Sequence, residues 1–297
     1  MNYTPWRETR QQLADAGLAP RKALGQNFLT DSRALDVIEA AARDVPTSVI
    51  LEIGPGPGVL TERLLDCAPA VVAAEIDDRF IQFLSSRFGQ REGLMLLNCD
   101  AASGDDVMHP SILEAVQNAA APRSDYQLVA NLPYNVGTPL IIALMTLPAA
   151  RQPVRILAML QKELAERLLA GPGTKDYGAP AIARLLYGDG KIIRRVPPAS
   201  FFPPPRVESA VIDIRRTGGA IPGISDPDRT ALMRFVRRAF QQRRKTVRRI
   251  LVDMGYAAEH VKRALEDNGI PDAARFDTLM PIELFKLMTR IQESGGF

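Results

Sequence analysis

The chain has 297 residues, of which 46% are hydrophobic and 24% charged, with a formal net charge of +3. That length exceeds one small domain, and the balance is that of a soluble globular protein with a substantial core, which excludes a disordered chain and a membrane-embedded one. So small a net charge names no partner; the distribution of the charges is more informative.

The opening stretch MNYTPWRETRQQLADAGLAPRKALGQ mixes charges throughout and has no apolar run suited to a signal peptide or a membrane span, so a cytoplasmic protein is expected. Residues 47–53, TSVILEI, are β-branched and apolar, break at glycines and resume as the helix-like VLTERLLDC, a strand–turn–helix pattern. A buried strand follows over 70–76. Next come a helix from Arg79 to Phe88, a strand over GLMLLN, a helix from Ser111 to Ala120, a strand over YQLVAN, a helix from Pro139 to Thr146 and a strand over VRILAML. Alternation of this kind predicts an α/β fold with a parallel sheet covered on both faces. After a helix over Lys162 to Leu169 and a turn-rich GPGTKDYG, the strands KIIRRV and SAVIDIRR have no long helix between them, which predicts an antiparallel pair closing one edge. The glycine- and proline-dense segment 217–227 marks a boundary between a catalytic domain, 1–217, and an all-helical domain, 226–297. Helices are expected there over Arg229 to Met254, Ala258 to Asn268 and Pro281 to Glu293.

Gly54, Gly56 and Gly58 fall where a strand must turn sharply into a helix, leaving backbone amides bare for a ligand. Glu75 ends the next strand, 75 − 54 = 21 positions on, the distance at which an acid accepts hydrogen bonds from ribose hydroxyls. The third glycine comes at the fourth position after the first, one short of the dinucleotide fingerprint, which argues against NAD and an oxidoreductase. Asp100, at the end of the third strand, suits the exocyclic amine of an adenine; alone, an Asp at a strand end is more often a helix cap than a ligand.

Asn131, Leu132, Pro133 and Tyr134 leave the fourth strand at the same sheet edge. An adenine N6 amine is a poor nucleophile because its lone pair is delocalised into the ring. Two acceptors, the Asn131 side-chain oxygen and the Leu132 carbonyl, can each take one amine hydrogen and favour a pyramidal nitrogen, while Pro133 stiffens the backbone and Tyr134 offers a stacking face. A proline turn with a packed tyrosine is the plainer alternative. With Cys67, Cys99, His109 and His260 the only cysteines and histidines, neither a metal site nor a disulfide is expected.

Together GQNFL (25–29), EIGPGPGVLT, the EID acid, NLPY, LQKELAERL, FFPPPRVESAV and FQQRRKT resemble the ribosomal RNA adenine dimethyltransferase family, in order, from about Arg21 to the final helices. The resemblance implies a Rossmann-like S-adenosylmethionine-dependent methyltransferase. Its implied reaction is N6,N6-dimethylation of two adjacent adenosines in a hairpin near the 3′ end of small-subunit ribosomal RNA, late in assembly of the immature small subunit. It also implies that Asn27 and Leu29 line the cofactor pocket with Gly54, Gly56, Glu75, Asp100 and Asn131, and that Phe201 stacks on the flipped adenine opposite Tyr134. The residues alone leave Phe201 and Phe202 equally readable as core aromatics. The chain departs from the family pattern at Arg249, often Asn, and Cys99, often Gly.

From Arg234 to Arg249 there are eight basic residues and no acidic one. Apolar residues at helical spacing would pack inward and leave Arg234, Arg237, Arg238, Lys245, Arg248 and Arg249 to face RNA phosphates. The rival readings are a large-subunit methylase of the antibiotic-resistance type, separated by the RRKT helix and the length beyond it, and a non-catalytic RNA-binding assembly or transcription factor. No heptad seam is present, and a monomer is expected.

Overall fold

The computed structural model describes residues 3–89, 91–103, 107–123, 125–133 and 136–294. Its first part comprises α1 (Trp6–Asp15), β1 (Phe28–Leu29), α2 (Ser32–Asp44), β2 (Val49–Ile53), α3 (Val59–Leu64), β3 (Ala70–Glu75), α4 (Asp78–Phe88) and β4 (Leu94–Asn98). Two short strands, β5 (Ala102–Ser103) and β6 (Val107–Met108), lead into α5 (Pro110–Ala120), β7 (Tyr126–Asn131), α6 (Gly137–Thr146), β8 (Arg155–Gln161) and α7 (Lys162–Leu169). The chain continues through α8 (Ala179–Tyr187), β9 (Gly188–Val196), β10 (Phe201–Phe202), β11 (Ser209–Arg216), α9 (Asp226–Ala239), α10 (Val247–Asp253), α11 (Ala258–Asp267) and α12 (Pro281–Glu293).

The principal sheet has seven strands in the order β4-β3-β2-β7-β8-β11-β9. Neighbours from β4 to β8 run parallel, and β11 runs antiparallel to β8. Every residue of β2 is buried, as a parallel strand covered on both faces requires. This is the expected α/β sheet, with its late strands added at one edge. A separate two-stranded sheet pairs β1 with β10, Phe28 opposite Phe202 and Leu29 opposite Phe201. The spacing rules do not reveal it, because strands of two residues carry no periodicity.

The chain divides into two compact units, Met1–Ala165 with Gly190–Arg215, and Glu166–Asp189 with Arg216–Phe297. The expected boundary at 217–227 is therefore only one of the crossing points. Residues 166–189, read from sequence with the sheet, belong with the helical unit: Arg184 Nε donates to the Leu168 carbonyl at 3.3 Å, and the Tyr177 hydroxyl donates to the Leu279 carbonyl at 3.0 Å. Helix α8 escapes detection because a glycine-rich turn precedes it and Pro180 stands in its first turn, a favourable position for proline that resembles a break. The single helix expected over Arg229 to Met254 is two. Thr246 accepts from the Arg249 backbone amide at 3.3 Å and so starts α10 afresh, while the Val247 amide donates to the Ala274 carbonyl at 2.8 Å.

Candidate active site

Strands β2 and β7 are neighbours, and the strands added on their outer sides extend in opposite directions, to β3 and β4 from one and to β8 from the other. Their carboxyl ends thus form the topological switch point at which ligands of open α/β sheets bind. Gly54 follows β2 and Leu132–Pro133 follow β7, so the two motifs emerge side by side. A Cβ placed on Gly54 would lie 3.5 Å from Pro133 Cδ, in van der Waals contact.

One open cavity, about 1070 Å³ counted out to its mouth, is walled by both motifs. Asn27, Leu29, Gly54, Gly56, Glu75, Asp100, Asn131, Leu132 and Pro133 all line it. Tyr134 lies outside the described residues.

Each wall has a local cause. Gly56 has a φ of +53°, and a Cβ there would meet Phe28 Cε1 at 2.9 Å, so only glycine lets the ring and the bend approach. Phe28 is held in turn by an edge contact with Phe80, ring centroids 5.3 Å apart, and a tilted one with Trp6 at 6.5 Å. Both oxygens of Glu75 are anchored, Oε2 by the Gly56 amide and Oε1 by the Asp77 amide, each at 3.0 Å. Burial raises the Glu75 carboxyl above the usual carboxylate range against the lowering effect of those bonds. Asp100 is exposed, and its Oδ1 accepts from the Ala102 amide at 3.0 Å. Asn131 Nδ2 donates to the Asn27 carbonyl at 3.0 Å. Since a carbonyl only accepts, this bond fixes the amide's orientation and turns Oδ1 away from Asn27.

Two features depart from the sequence reading. Phe201 is only 4% exposed, does not line the cavity, and belongs to the core cluster that includes Leu29 and Ile38. Phe201 is thus placed as one of the core aromatics that the residues alone allowed. Conversely, Glu52 lines the cavity at 1% exposure and passes unnoticed in the apolar run VILEI. Its Oε2 accepts from the Thr61 hydroxyl at 2.7 Å, and burial, aided by the charge of Glu75, pushes its carboxyl up to about 8. The available signal was an acid inside a strand that parallel packing must bury.

Three of the six basic residues expected at RNA are paired with acids. Lys245 and Arg249 pair with Asp253 at 2.8 and 3.1 Å, and Arg248 pairs with Asp272 at 3.2 Å. Arg238 donates to the Met254 carbonyl at 3.0 Å. Arg234 and Arg237 are exposed, and neither makes a salt bridge among the described residues. Also among the described residues, no cluster of three His, Cys, Asp or Glu could hold a metal ion, and no helix is long and apolar enough to cross a membrane.

Residues 17–293 match the ribosomal RNA adenine dimethylase family. The chain belongs to that family. It is 40% identical to ribosomal RNA small subunit methyltransferase A of Geobacillus thermodenitrificans over 290 residues, covering 96% of this chain and 94% of that protein. The corresponding protein of Jannaschia sp. is 38% identical, over 96% of this chain and 93% of the relative. Among solved structures, a dimethyladenosine transferase from Plasmodium falciparum superposes with a TM-score of 0.68 at 23% identity, covering 91% of this chain and 100% of that one. At that identity the likeness concerns the fold. As a ribosomal RNA adenine dimethylase the protein is a methyltransferase, and family and fold together imply S-adenosylmethionine as its methyl donor.

Proposed function

We propose that the protein dimethylates N6 of two adjacent adenosines in a hairpin near the 3′ end of small-subunit ribosomal RNA, during assembly of that subunit. The observation that carries this reading is the shared cavity: the Asn131 segment and the glycine bend after β2 line one space. The small subunit is favoured over the large one by the names of relatives 34–40% identical over nearly their whole lengths.

The lining suits the methyl donor. Glu75 fits a ribose diol, Asp100 an exocyclic amine, and the bare amides of the bend a carboxylate. S-adenosylmethionine, when bound, supplies a methyl group on positively charged sulfur. Asn131 Oδ1 and the Leu132 carbonyl take the two hydrogens of the adenine amine, drawing its lone pair out of conjugation toward the cavity. Pro133 keeps the carbonyl aimed, because its own carbonyl accepts from the Val136 and Gly137 amides at 3.2 and 3.0 Å. The amine sheds a proton after it has become cationic, so no side-chain base is required. Arg234, Arg237, Arg238, Lys245, Arg248 and Arg249 hold the RNA backbone.

The test uses unmethylated small subunits and labelled donor. Asn131→Ala is expected to abolish transfer while calorimetry shows donor affinity within a few-fold of the parent. Retained transfer would overturn the role given to Asn131, and label mapped to large-subunit RNA would overturn the substrate.

A further inference from the structure

The segment that forms one wall of the cavity is tied down by a charge outside the cavity. Gln26 Oε1 accepts from the Arg21 amide at 2.7 Å, and Gln26 Nε2 donates to Asp77 Oδ2 at 3.1 Å. The Asp77 side chain is fully buried and ionised: Arg79 Nε and Nη2 donate to it at 2.9 and 2.6 Å, and this pairing holds the carboxyl down near 2. One residue beyond Gln26, the Asn27 carbonyl receives the Asn131 amide. On its other side, Asp77 braces Glu75 through its backbone N–H. One residue thus touches both walls of the cavity, directly on the side of Glu75 and through Gln26 and Asn27 on the side of Asn131.

We propose that Asp77 is a positioning residue for methyl transfer, holding the segment Gly25–Leu29 through Gln26 so that Asn131 presents Oδ1 to the substrate amine. This rests on the reading of Asn131 given above. Asp77 also caps α4, where Oδ1 accepts from the Arg79 amide at 3.3 Å, so the two tasks must be separated. Asp77→Asn separates them. Asparagine caps a helix as well as aspartate does, and with its oxygen kept toward the Arg79 amide it turns an NH₂ toward two other donors, Gln26 Nε2 and Arg79 Nη2. Gln26→Glu makes the converse fault by setting two carboxylates against each other. Made together, the two changes restore a donor opposite an acceptor.

The experiment compares the parent, both single variants and the double variant of the full chain. It reads hydrogen exchange over residues 21–30 without donor, the thermal midpoint, and kcat and the donor KM on unmethylated small subunits. Each single change is expected to speed exchange in that segment and to lower kcat about tenfold or more, on the scale of small misplacements of reacting groups. The double variant is expected to recover both readings, whatever its thermal midpoint. The proposal is overturned if kcat stays at the parental value in the single variants while only the midpoint falls, or if the double variant is no better than the worse single one. Full transfer by Asn131→Ala in the same assay would instead sink the underlying site reading, and the exchange data would then stand apart from it.

Discussion

Glu52 places a carboxyl at 1% exposure on the cavity wall, with the Thr61 hydroxyl as its hydrogen-bond donor. Its folded-state value near 8 lies above the ordinary 4.5, so the folded chain holds this proton more tightly than the unfolded one. The stability it contributes is complete below about pH 4.5 and is lost as pH rises through 8. Glu52→Gln keeps the shape and removes the ionisation. Urea midpoints measured from pH 5 to 9 are expected to fall less steeply in the variant, which should be the more stable of the two at the alkaline end; parallel curves would refute the assignment. Glu75 was legible from its distance to Gly54, because ribose recognition imposes a spacing. Glu52 and Phe201 were not: desolvation and burial depend on neighbours brought together by folding, such as Thr61 for the one and Ile38 for the other.

Arg155 in β8 and Asp213 in β11 show how the antiparallel strand β11 is joined to the parallel part of the sheet. Both are buried, at 1% and 3% exposure, and they meet in a two-pronged pair, Nε to Oδ1 at 2.6 Å and Nη2 to Oδ2 at 2.7 Å, while Arg155 Nη1 donates to the Ala41 carbonyl of α2. One side chain therefore joins two strands and a helix. Arg155→Leu leaves Asp213 buried with, among the described residues, the longer 3.4 Å ion pair to Arg215, and is expected to cost about 3–5 kcal/mol in denaturant unfolding. Adding Asp213→Leu should recover most of that loss; a single variant within about 1 kcal/mol of the parent would deny the pair this role. Element identity is local, and β2, β3, β4, β7 and β8 follow from their apolar runs, whereas the two-residue strands β5 and β6 do not. The break between α9 and α10 was also written locally, in the capping Thr246, but a continuous helical spacing of apolar residues masked it.

Across the molecule, the unit that contains the sheet supplies the cavity, and the helical unit all six basic residues expected at RNA. Arg234 and Arg237 make no salt bridge among the described residues, so each is ready for a phosphate without first giving up an acid. Replacing both with Ala should lower the slope of log affinity against log salt by about 1.5, from roughly 0.7–0.9 per phosphate contact. An unchanged slope would remove that surface from the interface. The pairs to Asp253 and Asp272 lie at the surface, where solvent screens them, so Lys245, Arg248 and Arg249 can exchange their acids for phosphate at small cost.

From sequence alone came the alternation of elements, the glycine bend with its acid 21 positions on, and the ordered motifs that mark the family, because each is a constraint between residues close along the chain. Folding alone decided that β2 and β7 lie next to each other, that Gly54 meets Pro133, that Phe201 is buried, and that Asp272 answers Arg248. Those outcomes turn on strand order, burial and charge pairing between distant segments, for which no local pattern of residues carries the information.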